Sequence, residues 1–197
     1  SDQVTWTITP TPTVNAGTDR TVCGNNAAVT LNGSFTVATG GVWSGGAGSF
    51  DPSTTNMNAT YTPTATEVAN GSVTLTLTTT GNGLCTAVAD QMQITFTPAP
   101  TANAGADATV CANNAAVSLN GSVTVATGGA WSGGTGVFTP NNTSLTTSYA
   151  PTAAEIAAGT LTLTLATTGN GSCNSASDTK VITFSAAPVV NAGANGS

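Results

Sequence analysis

The strictest pattern in the chain runs through Ser72-Val73-Thr74-Leu75-Thr76-Leu77-Thr78, where aliphatic and hydroxyl side chains alternate without a break. Strict alternation puts each set on its own face of a pleated strand, so the segment predicts a half-buried β-strand. Gly81-Asn82-Gly83 supplies turn residues, and residues 91–96 return with Met92, Ile94 and Phe96 on one face. A strand, a glycine turn and a second alternating strand predict a hairpin. Residues 160–165 and 180–184 carry the same hairpin again.

Shorter β patterns precede it. Residues 19–23 read as a first strand, and Ala28-Val29-Thr30-Leu31 leads into Asn32-Gly33, a dipeptide suited to positive φ in a turn. Residues 35–38 continue the pattern. Trp43 stands between Gly40-Gly41 and Gly45-Gly46, which predicts a strand whose indole fills a sandwich core. Thr60-Tyr61-Thr62 is the next strand, stopped by Pro63. One helical signal interrupts the series: Thr64-Ala65-Thr66-Glu67 is a capping box, so a single turn is expected to end near Gly71. Thr152 and Glu155 repeat it.

These elements recur in register. Cys23, Trp43, Tyr61, Glu67, Cys85 and Phe96 reappear 88 residues later as Cys111, Trp131, Tyr149, Glu155, Cys173 and Phe184. Asn15-Ala16-Gly17 returns as Asn103-Ala104-Gly105 and again as Asn191-Ala192-Gly193, while Pro10 and Pro12 match Pro98 and Pro100. The expected organisation is the end of a preceding repeat at 1–12, modules at 13–100 and 101–188, and the start of a following repeat at 189–197. A unit of 88 residues is long enough to bury its own core, unlike a solenoid repeat. Seven or so short strands per unit fit an immunoglobulin-like β-sandwich. The connector Pro98-Ala99-Pro100-Thr101-Ala102 is short and proline-bearing, a semi-rigid spacer. The predicted class is all-β, as tandem sandwich modules in an extended array.

Composition changes the picture by exclusion. Only 5% of residues are charged against 39% hydrophobic, so the chain lacks the low hydrophobicity and high charge of disordered segments. The net charge is −6, with Arg20 and Lys180 the sole basic residues. Nothing neutralises phosphate, so nucleic acid and anionic membrane surfaces are not expected partners. No signal peptide opens the chain, and no apolar run approaches the ~20 residues of a spanning helix.

The four cysteines fall one pair to a module, Cys23 with Cys85 and Cys111 with Cys173 at equal spacing, without CxxC motifs and with no histidine to complete a zinc site. The expected disulfides are Cys23–Cys85 and Cys111–Cys173, since intramodular pairing leaves no odd thiol; free thiols are the alternative. Disulfides imply an oxidising, extracytoplasmic setting.

Taken together, Asn-Ala-Gly-x-Asp-x-x-Val-Cys, Leu-Asn-Gly-Ser, Trp-Ser-Gly-Gly, Phe-x-Pro, Tyr-x-Pro-Thr-Ala-x-Glu and the Thr-Leu-Thr-Leu strand resemble the PKD-like, immunoglobulin-like repeats of giant Bacteroidetes cell-surface adhesins, whose type example is a mobile gliding-motility adhesin. The resemblance implies a cell-surface filament exported by a type IX-like system, with neighbouring repeats as partners and polysaccharide or substratum contacted elsewhere in the parent. Ordinary PKD domains carry Trp-Asp-Phe-Gly-Asp-Gly where this chain has Trp43-Ser44-Gly45-Gly46, a departure that weakens the transfer of their calcium or ligand sites.

Candidate chemistry is sparse. Ser-His-Asp arrangements cannot be assembled without histidine, so no enzyme activity is expected. The acids Asp2, Asp19, Asp51, Glu67, Asp90, Asp107, Glu155 and Asp178 are widely spaced, although a fold could bring Asp19 near Asp90. Calcium through Asn15, Asp19, Asn103 and Asp107 is one reading of the module junctions; turn capping is the other. Glu67 and Glu155 have a structural role in their capping boxes, with general acid or metal ligand as the alternative. The glycines around Trp43 invite a phosphate-loop reading, but neither a helix nor a lysine follows. Trp43, Trp131, Tyr61 and Tyr149 are expected in the core. The Thr74, Thr76, Thr78 row could face glycan or ice, or could be the ordinary solvent face of a strand. The expected function is a structural stalk repeat, against a glycan-binding module or the spacer of a secreted enzyme.

Overall fold

The computed structural model describes residues 2–6, 8–190 and 193, and divides into two compact units, Ser1–Ala99 and Pro100–Ser197. Asn191 and Ala192, and with them most of the expected third copy, lie outside the described residues.

The first unit contains β1 (Thr13–Asn15), β2 (Arg20–Cys23), β3 (Val29–Thr30), β4 (Ser34–Thr36), β5 (Gly40–Ser44), β6 (Ser49–Asp51), β7 (Thr60–Thr62), the helix α1 (Ala65–Asn70), β8 (Ser72–Thr80) and β9 (Ala89–Thr97). One sheet has the order β2-β9-β8-β5, a second β3-β7-β6, and β1 pairs with β4. All ladders are antiparallel except that of β2 with β9, which is parallel. Two facing sheets with this crossing order form an immunoglobulin-like sandwich, and the first strand of the four-stranded sheet runs alongside the last.

Alternation places the core. Val73, Leu75 and Leu77 of β8 and Met92, Ile94 and Phe96 of β9 point inward with Val29, Leu31 and Tyr61 from the other sheet. Trp43 on β5 pairs with Leu77 and is fully buried. A Cβ at Gly33 would come within 2.8 Å of the Trp43 ring and 2.7 Å of Leu77. The Asn32-Gly33 turn expected from the sequence is not formed: Gly33 is not among the positive-φ residues, and it serves to admit the indole. Positive φ falls instead on Val37, at 67°.

The second unit repeats the plan with β10 (Thr101–Asn103), β11 (Ala108–Cys111), β12 (Val117–Asn120), β13 (Ser122–Thr124), β14 (Gly128–Ser132), β15 (Val137–Thr139), β16 (Thr146–Ala150), α2 (Ala153–Ala157), β17 (Thr160–Thr168) and β18 (Ser177–Ser185). Its sheets are β11-β18-β17-β14, β12-β16-β15 and β10-β13, with β11 again parallel to β18. At one core position the repeat exchanges an apolar side chain for a charged one. Where the first unit buries Met92, the second buries Lys180, only 8% exposed, whose Nζ donates to the carbonyl of Ala106. Burying a polar head with little compensation costs free energy that a thioether avoids. Lys180→Met is therefore expected to stabilise the second unit by about 1–2 kcal/mol, measured as a rise in its urea midpoint; an unchanged or lower midpoint contradicts this.

Candidate functional site

The densest polar arrangement in each unit is built on the helix cap. Thr64 is extended at φ −74°, its hydroxyl accepts from the Glu67 N–H, and Gly71 ends α1 in the left-handed region at φ 84°. Glu67 Oε2 accepts from the Thr64 N–H at 2.8 Å and from its hydroxyl at 3.0 Å. Oε1 accepts from the Tyr61 hydroxyl and from the Ala47 N–H, both at 2.7 Å. The Tyr61 hydroxyl in turn accepts from the Gly48 N–H at 3.0 Å. One carboxylate thus ties the cap of α1, the core tyrosine of β7 and the glycine loop after β5. A Cβ on Gly46 or Gly48 would fall within 2.8 Å of that hydroxyl, which is why the loop carries glycine there. Glu155, Tyr149, Thr135 and Gly136 reproduce the network in the second unit.

Burial alone would push both carboxyls up, but the hydrogen bonds from the Thr and loop N–H groups and from the tyrosine outweigh it. Glu67 is held below the usual carboxylate range and Glu155 is lowered to about 2. Burial and the carboxylate neighbour push Tyr61 and Tyr149 up to about 12. A carboxylate saturated by donors and held ionised is a poor proton donor and has no lone pair aimed at solvent. These two glutamates are structural.

The calcium reading of the entry loops meets a different arrangement. Asn15 Oδ1 accepts from the Gly17 N–H at 2.7 Å, and Asp19 Oδ1 from the Gln93 N–H at 2.8 Å. Asp90 Oδ2 accepts from the Ala16 N–H at 2.8 Å. Asp19 and Asp90 do converge on one region, each clipping the 15–19 loop to β9 through a backbone amide. Asp107 and Asp178 do the same between the 103–107 loop and β18, and Asn103 Oδ1 accepts from the Gly105 N–H within that loop. Among the described residues no group of three or more His, Cys, Asp or Glu is placed to hold a metal ion. Of the threonine row, Thr74 is exposed while Thr76 and Thr78 are half-buried.

The cysteines require a correction. Because β2 runs parallel to β9, Cys23 lies opposite Thr97, where β9 leaves the unit, and its Sγ is 3.9 Å from the Pro98 carbonyl oxygen. Cys85 lies before β9 begins, with its Sγ 3.8 Å from the Pro10 carbonyl oxygen. The nine residues of β9 stand between them, about 26–30 Å at a strand rise of about 3.3 Å. A disulfide tolerates a Cα separation of only about 4.4–6.8 Å. Cys111, opposite Ser185, and Cys173, ahead of β18, are held apart in the same way. Neither expected bridge, Cys23–Cys85 nor Cys111–Cys173, is formed: Cys23 and Cys173 are disulfide-bonded, and Cys85 and Cys111 carry free thiols.

No family model matches the chain, and no curated protein sequence matches it. Solved structures do. Drosophila N-cadherin EC1-4 is 11% identical with a TM-score of 0.41, covering 89% of this chain and 50% of its own. A SusE-like surface-located polysaccharide-binding protein of Bacteroides thetaiotaomicron is 10% identical with a TM-score of 0.44, covering 88% and 34%. The titin I-band fragment I67-I69 is 12% identical with a TM-score of 0.36, covering 88% and 65%. The chain thus spans half or less of the first two and about two thirds of the third. The sandwich assignment rests on the strand order given above.

Proposed function

We propose that the chain is a pair of structural stalk repeats from an extracellular surface protein, built to transmit load and hold other parts of the parent away from the cell. One observation carries the reading. Val4, Trp6 and Ile8 are 76%, 86% and 90% exposed, yet they stand 88 residues before Met92, Ile94 and Phe96, which face the core of β9. Alternating apolar side chains left in solvent are an anomaly for a free tail and natural for the last strand of a preceding sandwich. The finer form of the proposal is an adhesin filament of the gliding-motility kind, at the outer membrane of a Gram-negative bacterium and exported by a type IX-like system. It is supported by the motif resemblance. A disulfide supports an oxidising, extracytoplasmic location, and no helix among the described residues is long and apolar enough to cross a membrane.

The polar side chains are spent on the fold: glutamates on caps and tyrosines, aspartates on entry loops. Repeated in both units, they favour geometry over chemistry as the property in use. Stretching single molecules of this chain in reducing buffer tests the proposal. Two unfolding events are expected, each releasing about 300 Å of contour, an 88-residue repeat at about 3.5 Å per residue. A single merged event, or tight binding of the chain in a glycan panel, overturns the stalk reading and promotes a binding module.

A further inference from the structure

Five Asn-Gly pairs stand within the described residues, at Asn32, Asn70, Asn82, Asn120 and Asn170, and a sixth, Asn195-Gly196, lies outside them. An asparagine ahead of glycine loses its amide without an enzyme when the glycine nitrogen reaches the side-chain carbonyl carbon and closes a five-membered imide, one source of the thermal lability of asparagine. The nitrogen attacks only after giving up its proton, so a glycine N–H held in a hydrogen bond is shielded. The fold divides the five pairs on this ground. Gly33 donates to the Met57 carbonyl at 3.0 Å, Gly121 to the Leu145 carbonyl at 2.9 Å and Gly71 to the Val68 carbonyl at 3.1 Å. Gly33 and Gly121 are also wedged against an indole and a leucine, which bars movement toward the side chain. Gly83 and Gly171 differ. Among the described residues their N–H groups donate to nothing, both are exposed, and a Cβ on either would meet no atom within 4 Å. The side chain ahead of each is held by a single bond: Asn82 Nδ2 donates to the Thr79 carbonyl and Asn170 Nδ2 to the Thr167 carbonyl, both at 3.2 Å, while the two Oδ1 atoms are buried with no hydrogen-bond partner. We propose that Asn82 and Asn170, at the tips of the β8–β9 and β17–β18 hairpins, are spontaneous deamidation sites of the folded chain, and that the fold shields the other three pairs.

The only co-reactant is water. Solvent base takes the Gly83 N–H proton, and the nitrogen electron pair forms a bond to Asn82 Cγ. The Cγ–Nδ2 bond breaks, and ammonia leaves with a proton from water. A water molecule then opens the imide at either carbonyl, giving aspartate where the original peptide bond is restored and isoaspartate where the chain is rerouted through the side-chain carboxyl carbon. Burial of Oδ1 keeps water from hydrolysing the amide directly, whereas attack from within the chain needs no water until the ring has closed.

The product does not fit the site that the amide occupied. A carboxylate at position 82 has no N–H to give the Thr79 carbonyl and would sit as a charge beside it without a donor, so it turns out to solvent and the tie to β8 is lost. The rest of the tip hangs on the same residues. The Cys85 N–H donates to the Asn82 carbonyl at 3.1 Å, and the Val88 N–H to Thr79 Oγ1 at 3.0 Å. Isoaspartate lengthens the backbone and displaces the carbonyl that Cys85 uses. The second unit has the same bonds, from Cys173 to Asn170 at 3.0 Å and from Ala176 to Thr167 Oγ1 at 2.9 Å. Deamidation therefore loosens residues 81–88 and 169–176 while leaving each sandwich core in place.

Ageing the folded chain in warm, mildly alkaline buffer, followed by digestion at acid pH and peptide mapping, tests the assignment. Asn82 and Asn170 are expected to lose their amides about tenfold or more faster than Asn32, Asn70 and Asn120, where a native hydrogen bond must open first. In urea with reductant all five are expected to react at similar rates, which separates the contribution of the fold from that of the sequence. Equal rates in the folded chain, or faster loss at Asn32, Asn70 or Asn120, overturn the proposal. Hydrogen exchange on the aged chain reads the consequence. Faster exchange at the Cys85 and Val88 amides is expected, and the same loss of protection is expected in Asn82→Asp, which installs the aspartate product without ageing. Unchanged protection in both samples overturns the loosened tip.

Discussion

Truncating Trp131 to alanine is expected to destabilise the second unit by about 3–5 kcal/mol, in the range for deleting a buried aromatic. The indole is fully buried on β14 opposite Leu165, and its Nε1 donates to the Leu145 carbonyl at 3.3 Å. Relaxation into the void is limited from below, because Gly121 and Gly129 already bring backbone against Leu165 and the ring. For a domain of this size the loss corresponds to a fall in Tm on the order of 15–30 °C. Trp6→Ala is the internal control: that side chain is exposed, and its removal is expected to stay within about 0.5 kcal/mol. Calorimetry on the two variants decides the matter, and an unchanged Tm for Trp131→Ala would remove the indole from the core.

Much of the fold could be read from the chain because its signals are local. Alternation over residues 72–78 and 160–165 marked the body of β8 and β17, and the Thr-x-x-Glu box marked α1 and α2. Glycines were harder, because a glycine that frees φ and one that makes room for a neighbour look alike in a sequence. Gly33 resembles a turn residue after asparagine but gives way to Trp43, and Gly46 and Gly48 make room for Tyr61. The carboxylate network was half legible: the cap bonds follow from spacing within four residues, whereas the bonds from Glu67 to Tyr61 and Ala47 need the tertiary fold. The cysteines misled for a related reason. The wide, equal spacing of Cys23 to Cys85 and of Cys111 to Cys173 suits a bridge across a sandwich, and nothing local announces that the first strand lies parallel to the last and carries Cys23 to the far end.

Replacing Glu67 with glutamine is expected to cost the first unit about 2–3 kcal/mol, from hydrogen-bond donors left without an acceptor in a buried site. The carboxylate is only 8% exposed and its two oxygens serve four donors. An amide keeps one acceptor oxygen, so whichever way it turns, either the Ala47 N–H or the Thr64 N–H faces an NH2 group. The same substitution at Glu155 gives the pH dependence its test. The carboxyl is lowered in the fold from an ordinary value near 4.5 to about 2. A group depressed on folding contributes stability above its unfolded pKa, and the contribution is lost as pH falls through the folded one. Wild-type stability attributable to this group is thus complete above about pH 4.5 and disappears toward pH 2. On the alkaline side Tyr149 is raised from 10.0 to about 12, so its contribution is complete below pH 10 and lost as pH rises through about 12. Urea unfolding of wild type and Glu155→Gln at a series of pH values should give a gap that is constant between about pH 5 and 9 and narrows steadily from about pH 4.5 to 2. A gap that stays constant down to pH 2 would mean that the ionised carboxylate is not what the network is built around.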